Sequence, residues 1–131
     1  MLLDEIATYV ATNSTLVVGT DLFKNQFPAT AKDTAVGIYE SGGVGPSVTF
    51  GGVSHESPSI QVVVRSTSYG VARNLAQTIF NDLLDIENST LSGTRHLMAR
   101  AQQSPFSIGT DAKDRPRVSC NYFIEKEVSS T

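Results

Sequence analysis

Few residues in this chain are of a type and spacing that could do chemistry, and each set fails a specific requirement. The two histidines, His55 and His96, are 41 positions apart, and neither has a second histidine or a cysteine at metal-ligand spacing. Each reads as a surface or sheet residue. A phosphate-cradling loop needs glycines leading into a Lys-Ser or Lys-Thr pair at a helix start. The glycine-rich stretch Gly42 to Gly52 has no lysine and leads toward an apolar extended run. Ser41-Gly42-Gly43 lacks the glycine that must precede a nucleophile-elbow serine. The acidic residues Asp82, Asp85 and Glu87 read as solvated groups at the end of a helix. No catalytic constellation, metal site or cofactor site is predicted.

What remains is the framework, and its clearest part runs from Ser59 to Ile86. The run Ile60-Gln61-Val62-Val63-Val64-Arg65 has the β-branched content of a strand. Ser66-Thr67-Ser68 then offers hydroxyls that can accept hydrogen bonds from the first-turn amides of a helix starting near Ser68. Ala72, Leu75, Ala76, Ile79, Phe80, Leu83 and Ile86 recur every three or four residues, while Arg73, Asn74, Gln77, Asn81 and Asp82 fall elsewhere. That stripe is expected to lie on a sheet, its two alanines allowing close approach.

Leu2, Leu3, Ile6, Tyr9 and Val10 predict a shorter N-terminal helix closed by Asn13-Ser14. Further strands are expected at Thr20–Phe27, ended by Pro28, and at Thr34–Glu40, where Val36, Ile38 and Glu40 face opposite to Gly37 and Tyr39. A short edge segment is expected at Asn88–Gly93, and longer strands at Arg95–Gln103 and Arg117–Val128. The order of helix, strands, helix, strands predicts an α+β fold with a mixed or mainly antiparallel β-sheet and two α-helices packed on one face. Ser41–Pro58 and Ser104–Pro116 are read as two long loops, the second joining strands that pair as a hairpin.

At 131 residues the chain matches one domain, 1–131, large enough to bury a core without disulfide or metal support. Its one cysteine, Cys120, falls beside Val118 and Tyr122 in strand alternation and is expected to be a buried, inert thiol. The acidic start and the lack of a membrane-length apolar run predict a soluble protein made in a cytoplasm, with no membrane partner. Ten Lys and Arg against thirteen Asp and Glu give a net charge of −3, with the basic residues scattered. That argues against a general grip on nucleic acid and suits a surface that lets it pass.

Several segments, in order along nearly the whole chain, resemble the small bacteriophage minor capsid or tail terminator proteins. They are Met1-Leu2-Leu3-Asp4-Glu5-Ile6-Ala7, Ala35-Val36-Gly37-Ile38-Tyr39-Glu40-Ser41-Gly42-Gly43 and Arg65-Ser66-Thr67-Ser68-Tyr69-Gly70-Val71-Ala72-Arg73. Leu91-Ser92-Gly93-Thr94-Arg95, Gln103-Ser104-Pro105-Phe106-Ser107-Ile108-Gly109 and Arg115-Pro116-Arg117-Val118-Ser119-Cys120-Asn121-Tyr122 continue the series. The resemblance implies a non-enzymatic protein of the phage neck. Six copies would form a ring on the finished tail tube, stop its growth and meet the head connector. Its partners would be further copies of itself, the major tail tube protein and the head-tail connector proteins, with genomic DNA only passing through the ring.

A closed ring needs two different surfaces on each subunit to meet. Val48 and Phe50 in the first expected loop, and Phe106 and Ile108 in the second, are candidate apolar anchors for that contact or for the tube. The same side chains are equally suited to folding back on their own domain. Arg115 and Arg117, with Arg95 and Arg100, are candidates to pair with acids of a neighbour, or else are solvated. Two other roles stay open: a head-completion or connector protein, and a small ligand-binding domain using the Gly-rich segment 41–52.

Overall fold

The computed structural model describes residues 2–28, 32–49, 52–91 and 94–127. Two helices, α1 (Leu2–Thr12) and α2 (Tyr69–Leu84), accompany seven strands: β1 (Leu22–Lys24), β2 (Ala35–Thr49), β3 (Gly52–Arg65), β4 (Glu87–Leu91), β5 (Thr94–Ala101), β6 (Phe106–Thr110) and β7 (Pro116–Glu127). The strands form one sheet in the order β1-β2-β3-β7-β5-β4, with β6 also paired to β7. β1 runs parallel to β2 and every other pairing is antiparallel. This is the α+β fold expected from the element order.

Both helices pack on one face of this sheet, α1 over β1 and β2 and α2 over β3, β7 and β5. Strand alternation sends Val36 and Ile38, Ile60, Val62 and Val64, and Val118, Cys120, Tyr122 and Ile124 to that face, and all are buried. The stripe of α2 meets them through Ala72, Ala76, Ile79 and Leu83, and α1 adds Leu2, Leu3, Ile6, Ala7 and Val10. Cys120 is buried among them, its Sγ donating to the Gln103 carbonyl at 3.0 Å, and burial pushes the thiol's pKa up. His96 is also fully buried. Its Nε2 donates to Oε1 of Glu5 at 2.9 Å, tying β5 to α1.

Four expectations are corrected. Helix α2 starts as the stripe requires, with Ser68 as its N-cap, but the Ser68 side chain makes no capping bond. Ser66 Oγ instead lies within 3.0 Å of Thr34 Oγ1 and accepts weakly from the Ser68 amide. β1 is only three residues long, and the chain leaves it at Asn25 with φ of 59° before Phe27 is reached. Residues 41–49 and 52–58 are strand, not loop, and form the outer arms of the β2-β3 hairpin. Glycine and proline there mark bulges: Val44 opposes Ser57 and Ser47 opposes His55, so Gly45 and Pro46 stand against the single Glu56.

The second expected loop holds β6. β5 and β6 pair in succession along the same edge of β7, Ala101 opposite Tyr122 and Phe106 opposite Ser119, with residues 102–105 between them. Gln102 still bonds its amide to the Asn121 carbonyl, so the interruption is local. The hairpin predicted between the fourth and fifth long strands therefore exists, with the segment read as its loop largely continuing the ladder.

Candidate functional site

The face of the sheet away from the helices receives the alternate residues of the same strands: Gly37 and Tyr39 of β2, Ser59, Gln61, Val63 and Arg65 of β3, and Arg117, Ser119, Asn121 and Phe123 of β7. Its centre is polar and internally bonded. Ser59 Oγ accepts from Ser41 Oγ at 2.9 Å and from Gln102 Nε2 at 2.7 Å, and Gln61 Nε2 donates to Ser119 Oγ at 3.1 Å.

At the end where β3 leaves the sheet and β7 enters it, this face holds a cavity of about 530 Å³ lined by Phe27, Tyr39, Gln61, Val63, Arg65, Ile108, Asp111, Ala112, Lys113, Arg115 and Arg117. Gly37 makes the wall possible. A Cβ there would come within 2.8 Å of the Phe27 ring, so only glycine lets that ring lie against the strand. The Arg65 guanidinium in turn lies 4.3 Å from the Phe27 ring centroid.

The other wall is the β6-β7 turn, held by Arg115. Its side chain is 4% exposed, donates to Asp111 Oδ2 from Nε at 2.8 Å and reaches Asp33 Oδ1 from Nη1 at 3.2 Å. Asp111 also accepts the Lys113 and Arg115 amides. The Arg115 hydrogen bond is the main reason the Asp111 pKa falls to about 2. Asp114 takes φ of 58° and Gly109 φ of 88° in the tight return.

Electrostatically the cavity is cationic. Arg65, Arg115, Arg117 and Lys113 line it, with Asp111 and, behind Arg115, Asp33 as counter-charges. Arg65 is 3% exposed, and its Nη2 donates to the Lys32 carbonyl while its Nε is buried with no acceptor among the described residues. Arg117 donates from Nη2 to the Thr110 carbonyl and likewise keeps a buried Nε without an acceptor. Burial, then the charge of Arg115, lowers the Arg65 pKa. Among the described residues these two donors are held in low dielectric without a partner, a costly arrangement.

Of the residues singled out from sequence, Ile108, Arg115 and Arg117 are brought together in this cavity. Phe106 lies on the same strand as Ile108, 41% exposed and outside the cavity. Val48 lies in the outer arm of β2, its backbone opposite Val53. Phe50 lies outside the described residues. Arg100 pairs with Glu125 of its own sheet at 3.3 Å and lies 5.1 Å from the Phe123 ring centroid. Phe27, Tyr39 and Arg65 were missed as site residues. Arg65 gave the available signal, a charge closing an apolar strand on the face opposite to Val62 and Val64.

At the other end of α2, Asp85 and Glu87 are exposed as expected, but Asp82 is not simply solvated. Asp82 has a buried Oδ2 with no donor among the described residues, and burial, then the charge of Asp85, raises its pKa. The last turn of the helix holds no base, and Leu84 is 39% exposed beside an exposed Asp85. Among the described residues no group of three or more His, Cys, Asp and Glu could hold a metal ion, and no helix is long and apolar enough to cross a membrane.

No curated protein matches the chain. Among solved structures, a chain of the virion of a native gene transfer agent particle matches with a TM-score of 0.61 at 17% identity, covering 94% of this chain and 84% of that one. At that identity the likeness is one of fold. The sequence profile described as bacteriophage tail terminator protein matches residues 9–128, which takes in both sheet faces, α2 and the arginine-lined cavity. The chain therefore belongs to the bacteriophage tail terminator family.

Proposed function

We propose that this protein caps the finished tail tube as a six-subunit ring, ends tube polymerisation and forms the joint to the head. The single observation that carries the reading is the family match over residues 9–128. The fold likeness to a chain of a gene transfer agent virion agrees with it. In this role the chain is a structural virion protein, acting as one domain without catalysis, assembled in the host cytoplasm. Its partners are its own copies, the major tail tube protein and the head-tail connector proteins, and DNA touches it only in transit. A ring of subunits carrying net charge −3 each suits that passage, since it repels phosphate instead of holding it.

The ligand-binding alternative loses its main support, because residues 41–49 are a strand arm rather than a cradle. Mixing the purified protein with the phage's tail tube protein and viewing the product by electron microscopy tests the proposal. Tubes of limited length carrying a sixfold ring at one end are expected. Tubes that grow unchanged with bare ends overturn the tail-cap role, and binding to connector rings instead would assign the protein to head completion.

A further inference from the structure

A cyclic assembly requires two dissimilar, complementary surfaces on one subunit, placed so that they cannot meet within it. The cavity on the open face supplies one: cationic, lined by Arg65, Lys113, Arg115 and Arg117 against Asp111, with an apolar wall of Phe27, Val63 and Ile108. The last turn of α2 supplies the opposite chemistry. There Asp82 and Asp85 repel one another at the negative end of a helix, with no base in that turn, and Leu84 is exposed beside Asp85.

Their separation follows from the fold. Arg65 ends β3 at the cavity, and three residues later α2 begins and returns along the other layer of the molecule. Its 16 residues carry the chain about 24 Å away. The acidic turn thus lies at the far end of the opposite face and cannot fill the cavity of its own copy.

We propose that the cavity receives the last turn of α2 from an adjacent copy of this chain, with the Asp85 carboxylate on the guanidinium of Arg117 and Leu84 against the Phe27, Val63 and Ile108 wall. A planar guanidinium matches a carboxylate, and closing the cavity over the pair removes it from water. The contact is head-to-tail, so repetition closes a ring. This inference rests on the ring reading of the function and names the surfaces that would make it.

The test has two arms. Arg117→Glu, Asp85→Arg and the double variant, each checked for native circular dichroism, are mixed with tail tube protein and scored for capped tubes by electron microscopy. Each single variant is expected to lower the fraction of capped ends at least tenfold, and the double variant to restore it. Single variants that cap like wild type overturn the docking while leaving the tail-cap role intact. The second arm needs no tube. In a Cys120→Ser background, concentrated Leu84→Cys protein is mixed with Ile108→Cys protein and oxidised mildly. A mixed disulfide-linked dimer exceeding either self-linked product is expected, and equal or absent cross-linking overturns the contact even if wild type fails to cap tubes.

Discussion

Gly37→Ala tests whether the open face is built as described, because one methyl group is enough to disturb it. The added Cβ would lie 2.8 Å from Phe27 Cδ2, 3.2 Å from its Cγ and 3.1 Å from Tyr39 Cε2. Real Cβ contacts do not occur at 2.8 Å, so the Phe27 ring must retreat by roughly 0.8 Å to reach ordinary contact, away from the strand. Overpacking of this kind costs about 1 to 3 kcal/mol. Replacing a strand glycine returns about 0.5 to 1 kcal/mol through the unfolded state. The net expectation is a loss of about 1 to 2 kcal/mol, or roughly 3 to 8 °C in Tm for a chain of this size. Urea unfolding of wild type, Gly37→Ala, Phe27→Ala and the double variant gives a double-mutant cycle. With the ring removed, Gly37→Ala should be neutral or stabilising, which makes the coupling at least about 1 kcal/mol. Equal effects of Gly37→Ala with and without the ring would refute the claim that Phe27 lies on this strand and shapes the cavity.

The His96-Glu5 contact sets a pH dependence. Burial outweighs the Glu5 hydrogen bond and holds the His96 pKa below its ordinary value, so the unfolded chain binds the proton more readily. Stability should therefore be fully present above about pH 6.5 and decline as pH falls below it, and urea midpoints of His96→Gln should lose that part of the slope. Cys120, buried with its thiol donating to Gln103, should resist a thiol reagent in native protein and react stoichiometrically in denaturant. Fast modification under native conditions would mean that β7 is not covered by α2.

The sequence revealed the parts of this fold whose signal is local. The α2 stripe and the Val62-Val64 alternation each have a periodicity that belongs to one element, and the helix face of the sheet follows from them. β6 and the hairpin arms look like loops in the sequence because Gly45, Pro46, Pro58 and Pro105 are turn-forming residues taken singly. Only pairing with β3 and β7 shows that Gly45 and Pro46 occupy a bulge. The cavity was legible in part. Arg115, Arg117 and Ile108 lie within ten residues of one another, but Phe27 reaches the site only after Asn25 turns through a left-handed conformation, and no periodicity carries that information.

The division between the two sheet faces also explains how interface chemistry can coexist with a stable fold. On the helix side, Val62, Val64, Cys120 and Tyr122 exclude water and supply the apolar burial that holds the fold. The same strands send Gln61, Arg65, Arg117 and Ser119 the other way, where hydrogen bonds and charge replace apolar burial. Because side chains alternate regularly along β3 and β7 here, changing a residue such as Arg117 removes no contact from the core, and its effect on assembly can be separated from its effect on folding. Arg65 is the exception. It is buried, stacks on Phe27 and lies directly before the turn that launches α2. A loss there would disturb the cavity and the entry to the helix together, which is why Arg117 and Asp85 are the positions that discriminate between misassembly and misfolding.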